Sequence, residues 1–434
     1  MTSRMKTGLV LGGGAARGAY EAGVLSYLRE ELEPELGREL RLDILAGTSV
    51  GAIHACFLAA TSDQPRLQAR GMRAHWTGMK VEEVLRCGVG DIFRLLRETL
   101  SKPASHPRDI QYGGLVDPRG LRAIVGQGIP WRGIGRNLRR GHVDALAVSA
   151  THVGSGRATV FVQRRGGGVP SWGNDPSYQA EAARIGPLHA LASAAIPVAF
   201  PAVRLRGQLH VDGGLRMNVP LSPALRLGAQ RVVVVSLRHE ALRAQQPGDK
   251  PGSTGVEREE ALATAPFLMG KMLNTLMMDR TDQDLGRLRR LNAILEAGTV
   301  SYGPDFARTL GAVLEPHRSQ PLRYVRELLV RPSKDLGALA AEYVRTPEFR
   351  RRGNGLAHKA ILRLVDREAR HEADLASYLL FDGGFAELLI DLGRQDARAL
   401  REQWLRFWSD APQCVAEMAT ASSEDKDKDK ASAA

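Results

Sequence analysis

The segment Gly47-Thr48-Ser49-Val50-Gly51 has the residue types and spacing of a nucleophilic turn. It fits the pattern G-x-S-x-G and lies between an apolar run and a helical one. In that setting, small residues beside the serine let the backbone turn sharply, so the hydroxyl projects at the top of a sheet. Ser49 then stands at a helix N-terminus, where free N–H groups and the helix dipole favour developing negative charge. The implied chemistry is attack by Ser49 on an acyl carbon, with Gly47 and Gly51 shaping the turn. Taken alone the pattern is weak, because glycine and serine are common in ordinary turns.

A second segment, Gly12-Gly13-Gly14-Ala15-Ala16-Arg17-Gly18, supplies the partner function. A glycine-rich turn at a strand end exposes backbone N–H groups and lets a substrate approach them closely. Two functions need such a nest, phosphate binding and an oxyanion hole. The dinucleotide fingerprint G-x-G-x-x-G fails, since Arg17 stands where its third glycine belongs and Gly18 comes one residue late. The Gly-Lys-Ser/Thr ending of a P-loop is also missing. An oxyanion hole built from Gly12, Gly13, Gly14 and Ala15 fits better.

A serine nucleophile needs a base, most often a histidine held by a carboxylate. The chain has eleven histidines and none is singled out by its context. His54 lies about one helical turn beyond Ser49 and is badly placed to turn back. His189 and His210 have apolar surroundings and read as structural. His106, His142, His152 and His239 have no distinguishing neighbours. Asp212 does stand out: it ends an apolar strand and is followed by Gly213 and Gly214, which leaves a carboxylate exposed at a sheet edge.

The elements that must position these groups follow from hydrophobic periodicity. Thr7–Leu11 and Leu42–Ala46 read as buried strands, each ended by glycine. Ala19, Ala22, Leu25, Leu28 and Leu32 give a helical stripe that Pro34 should stop. Val50–Ala60 is a further helix. Strand, glycine turn, helix, repeated, is the rhythm of a parallel sheet covered on both faces. Asp144–Ala150, Thr159–Gln163, Gln208–Val211 and the β-branched Val232–Leu237 add strands. Near Leu237 the α/β pattern ends; beyond it helical patterns dominate, with no clear strand. These boundaries give an α/β domain over 1–240, a linker over 241–255, a helical region over 256–418 and a disordered tail over 419–434.

Composition limits the alternatives. With 434 residues, 43% hydrophobic and 25% charged, a large core is possible, and no apolar stretch reaches membrane-spanning length. The N-terminus lacks the apolar core of a signal peptide, so a cytoplasmic protein is expected. Cys56, Cys87 and Cys414 are too far apart in sequence for a CxxC zinc site or a disulfide framework, and no metal or cofactor is expected. The net charge of +12 favours anionic surfaces. Its clusters, Arg136–Arg140 and Arg350–Arg352, lack interleaved aromatics and read first as solvated faces, with peripheral contact with an anionic membrane next and nucleic acid not expected. Met269, Met272, Met277 and Met278 read as a packed helix face, with a membrane-facing lid as the rival.

Three segments in order, LVLGGGAARGAYEAGVL, LDILAGTSVGAIHA and HVDGGLRMNVPLSPALRLGA, resemble the signature blocks of bacterial patatin-like phospholipases. ALASAAIPVAFPAV resembles the segment before the aspartate, and the likeness covers most of residues 7–237. It implies a three-layer α/β/α sandwich with a mostly parallel sheet, followed here by a mainly helical C-terminal region. It implies a Ser49–Asp212 dyad in which Asp212 takes the proton directly, and a phospholipid or other lipid ester as substrate. Arg17 matches the family's arginine, which orients the loop or attracts a phosphate head group. The chain departs at Ala15, which replaces a glycine; its methyl is tolerated where φ is negative. A second Asp382-Gly383-Gly384 lies outside the α/β region and reads as a helix-ending turn. The rival readings are a general carboxylesterase or thioesterase using the same dyad and, further off, a nucleotide-binding regulatory module.

Overall fold

In a computed structural model, the structure describes residues 4–85, 111–112, 117–169, 172, 178–197, 199–239, 281–314, 322–353, 355–367 and 374–409. The expected linker over 241–255, the methionine stretch and the tail lie outside these residues. Among the described residues ten strands form one sheet: β1 (Thr7–Leu11), β2 (Ile44–Thr48), β3 (Gln111–Tyr112), β4 (Ala145–His152), β5 (Ala158–Arg164), β6 (Tyr178–Ala182), β7 (Ala202–Leu205), β8 (Gln208–Asp212), β9 (Arg231–Val235) and β10 (Arg326–Val330). The order β10-β9-β1-β2-β4 is parallel throughout. The runs TGLVL and RVVVV are wholly buried, as expected of parallel strands covered on both faces.

Period-two alternation divides these strands between two cores. Leu9, Leu11, Val233 and Val235 face one cluster, together with helices α1 (Ala19–Tyr27) and α2 (Val50–Ala60). Val10, Val232 and Val234 face the other, with Leu285 and Leu288 of helix α3 (Thr281–Tyr302). Two apolar layers separated by a sheet make the expected three-layer α/β/α sandwich.

Three expectations are corrected. Pro34 does not stop the first helix, which continues to Leu36 and ends at Gly37 with φ +62°. Leu28–Leu32 form a π-helical turn. We attribute the continuation to this widened turn, which eases the steric conflict of a ring that also lacks an N–H donor. The second strand starts and ends two residues later than Leu42–Ala46, so it carries Gly47 and Thr48 up to the nucleophile. Finally, the α/β pattern does not end at Leu237. Strand β10 pairs in parallel with β9 from Arg326↔Arg231 to Val330↔Val235. Its five residues, RELLV, are too few and too polar to distinguish an edge strand from a helical turn by pattern.

The helices that follow β10 return across the face bearing α1. Helix α4 (Leu336–Val344) leads to the short α5 (Asp374–Leu379) and then to α6 (Gly383–Ala399). A Cβ on Gly23 would meet the Ile390 carbonyl at 2.0 Å, and one on Gly393 would meet the Tyr20 carbonyl at 2.2 Å, so α1 and α6 touch backbone to backbone. Tyr20 donates to Asp396 across this contact at 3.0 Å, and Glu31 pairs with Arg394 and Arg398 at its margin.

Candidate active site

The site arises from a change of strand pairing along β4. A strand has two edges, and β5 occupies one of them from Ala145 to Thr151. On the other edge, β2 runs parallel to β4 as far as Thr48↔Ser149. There β8 takes over from the opposite direction, with Asp212 opposite Ala150. The carboxyl ends of β2 and β8 therefore meet head to head. Ser49 follows one, and Asp212 ends the other.

The Ser49 hydroxyl donates to Asp212 Oδ2 at 2.7 Å. Ser49 has φ +55° and ψ −125°, a left-handed backbone that costs on the order of 1–2 kcal/mol for a residue with a side chain. The surrounding packing over-determines it. A Cβ on Gly47 would meet the Gly51 carbonyl at 2.2 Å, and one on Gly51 would meet the Leu11 carbonyl at 2.4 Å. Both glycines let helix α2 leave the strand under the first glycine turn. Ser49 N–H donates to Ser193 Oγ at 2.8 Å, and Ser193 in turn donates to the Ser149 carbonyl at 2.5 Å. Ser193 thus ties the turn to β4. It sits within ALASAAIPVAFPAV, and sequence reasoning gave it no role because nothing distinguishes one serine in a run of small residues.

Asp212 is fully buried. Its Oδ1 accepts Gly214 N–H at 2.7 Å, its own N–H donates to the Ala195 carbonyl, and its carbonyl accepts from Thr151. Gly213 lies against the Ser149 carbonyl, too close for a side chain. Burial pushes the Asp212 carboxyl up to about 7, while the bonds from Ser49 and Gly214 pull it back.

Among the described residues no histidine bonds Ser49 or Asp212. His54 is engaged by Glu21 at 2.6 Å and receives Trp76 Nε1–H on its other nitrogen at 3.0 Å. That tautomer places its proton toward Glu21. His189 and His210 are both held down to about 4, chiefly by burial.

The glycine turn is placed over Ser49. A Cβ on Gly13 would meet Asn218 Oδ1 at 2.5 Å and Ser49 Cβ at 3.1 Å. Gly12 N–H donates to the Val235 carbonyl at 3.3 Å, and Gly13 N–H to the Asn218 carbonyl at 3.1 Å. Gly14 and Ala15 make no N–H bond among the described residues, which singles them out of the expected four. The condition set for Ala15 fails, because its φ is +50°. The methyl is carried in the left-handed region, at a cost comparable to that at Ser49. Gly18 packs beneath against Val50. Arg17 is buried and bonded to Ser377 and Asp374, so its guanidinium is turned to the C-terminal region. Asp382 does not end a helix so much as begin one, since it caps α6 through Gly384 and Phe385 N–H.

The fold and this turn define an α/β/α sandwich with a serine elbow at the carboxyl end of a parallel sheet. Residues 9–225, half of the chain, match the profile of the patatin-like phospholipases, and the chain belongs to that family of hydrolases acting on lipid esters. It is 43% identical over 75 residues to a patatin-like phospholipase domain-containing protein of Caenorhabditis elegans, a match covering 16% of this chain and 5% of that one. Among solved structures it is similar to VipD from Legionella pneumophila, at 14% identity and a TM-score of 0.27, over 84% of this chain and 67% of that chain.

Proposed function

We propose that the protein is a lipid acyl hydrolase in which Ser49 attacks the ester carbonyl and Asp212 accepts its proton. The observation that carries this reading is the 2.7 Å hydrogen bond from Ser49 Oγ to a buried carboxylate that contacts no cation among the described residues. A carboxylate near 4 is a weak base for a hydroxyl; one near 7 is matched to neutral pH. As the Ser49 oxygen bonds to the carbonyl carbon, the proton passes to Asp212 Oδ2 and negative charge moves to the carbonyl oxygen. In this reading the N–H groups of Gly14 and Ala15, joined by the first N–H of α2 at Val50, receive it. Collapse expels the alcohol, which takes the proton from Asp212. Water, deprotonated by the same carboxylate, then attacks the acyl carbon, and Asp212 returns the proton to Ser49 Oγ as the fatty acid leaves.

The acyl group has a place to go. Val50, the residue after Ser49, lines an apolar cleft together with Ile53, Phe57, Trp76, Leu121 and Phe381. Such a lining favours a long alkyl chain at roughly 0.8 kcal/mol per buried methylene. Among the described residues no helix is long and apolar enough to cross a membrane. The net charge of +12 supports peripheral attraction to anionic lipid surfaces.

Labelling with an active-site fluorophosphonate should modify Ser49, and Ser49→Ala should abolish both label and esterase activity. Retained hydrolysis in purified Ser49→Ala rejects the mechanism. A preference for acetyl over medium-chain and long-chain esters rejects the lipid assignment.

A further inference from the structure

We propose that Asp374 and Ser377, on helix α5 and far outside the matched segment, are positioning residues for the catalytic glycine loop. This rests on the Ser49–Asp212 reading and extends it to the C-terminal region. Arg17 belongs to the loop but points away from Ser49. Its Nε donates to Ser377 Oγ at 2.8 Å and its Nη2 to Asp374 Oδ1 at 3.0 Å. Its guanidinium also lies over the Tyr378 ring, 4.0 Å from the centroid. Ser377 is fully buried and donates onward to the Asp374 carbonyl at 2.6 Å. The guanidinium is therefore fixed on two edges and one face, by residues 357 to 361 positions away in sequence.

Such a clamp has a reason to exist. Arg17 N–H closes the turn onto the Gly14 carbonyl at 3.0 Å, and between them Ala15 carries its positive φ. A left-handed alanine persists only where its surroundings hold it. The N–H groups of Gly14 and Ala15 point where that turn points. Releasing Arg17 lets the turn relax toward ordinary backbone, carrying both donors off the developing oxyanion while the acyl cleft stays in place. The expected signature is lower kcat with KM little changed, because the lost contact acts only in the transition state. An arginine that binds a substrate head group would instead raise KM.

The test is steady-state hydrolysis of a medium-chain p-nitrophenyl ester and of phosphatidylglycerol vesicles by the full chain. The variants are Asp374→Asn, Ser377→Ala and Arg17→Lys, each with a thermal melt. A loss of at least tenfold in kcat on both substrates, KM within twofold and a folded melt support the proposal. Ser377→Ala removes two hydrogen bonds, the one accepted from Arg17 and the one donated to the Asp374 carbonyl, and the conclusion rests on it if Asp374→Asn fails to fold. Asp374→Glu should recover part of the rate, a rescue that simple loss of packing would not give. A kcat within threefold of wild type in the folded variants overturns the clamp, as does a rise in KM alone on vesicles. Ser49→Ala run alongside separates the two claims. If it is inactive while Ser377→Ala and Asp374→Asn are normal, the clamp fails and the dyad stands. If it remains active, the dyad itself fails.

Discussion

The chain contains Asp-Gly-Gly twice, and the two copies have been put to different use. Both aspartates stand directly before a helical turn, and both accept the N–H of the second glycine, at 2.7 Å for Asp212 and 2.9 Å for Asp382. Their second partners differ. Asp382 also accepts Phe385 N–H and the Tyr343 hydroxyl, and Arg352 lies 3.5 Å away. Its charge is spread over a helix start and offset by a cation. Among the described residues Asp212 has one hydroxyl, from Ser49, and no cation. A local motif fixes where a carboxylate points; the groups opposite decide whether it is a cap or a base.

The largest effect separates the copies by activity. Asp212→Asn should lower kcat/KM by on the order of 10²–10⁴-fold, since an amide cannot take the proton. Asp382→Asn should stay within about threefold while losing about 1 kcal/mol of stability, as a weakened cap would. Esterase assays and denaturant melts of both variants decide this. Equal losses of activity would erase the distinction.

The next effect is in pH. The folded Asp212 carboxyl titrates near 7, against an ordinary value of 3.8. The folded state therefore holds this proton more tightly, and the resulting stability is present below pH 4 and lost as pH rises through 7. Asp212→Asn, which cannot ionise, should match wild type near pH 4 and exceed it above pH 7, by about 4 kcal/mol at most. Wild-type kcat/KM should run the other way, rising through a midpoint near pH 7 as the base ionises. Activity and stability are thus traded at one atom pair. A flat difference in melting temperature between pH 4 and 8 would refute the burial argument.

Much of this was legible in the residues. The two glycine turns and the strands that lead into them follow from apolar runs punctuated by glycine, because both the sharp elbow and the close loop approach exclude side chains; Asp212 rests more on the family resemblance than on its own pattern. What was not legible depends on partners distant in sequence. Ser193 touches Ser49 only because β4 brings them together. Strand β10 is set by pairing with β9 rather than by its own five residues. Arg17 carries no sign that its partners lie some 360 residues away. Ala15 shows the same limit, since the local preference for negative φ is overruled by the turn it completes.

The smallest effect probes how much each carboxylate depends on its hydroxyl. Tyr343→Phe removes the 2.5 Å donor to Asp382 and keeps the ring packed between Phe349 and Phe385. Two N–H groups and Arg352 remain, so the carboxylate stays satisfied and the cost should be about 1 kcal/mol, with activity within twofold. The parallel deletion, Ser49→Ala, leaves the Asp212 side chain with Gly214 as its one partner among the described residues. Since the Ser49 bond holds that carboxyl down, its loss should push the titration further up and steepen the fall of stability above neutral pH. Chemical denaturation of both variants at pH 5 and pH 8 measures the difference. A pH-independent cost for Tyr343→Phe beside a pH-dependent one for Ser49→Ala is what a satisfied cap and a poised base require.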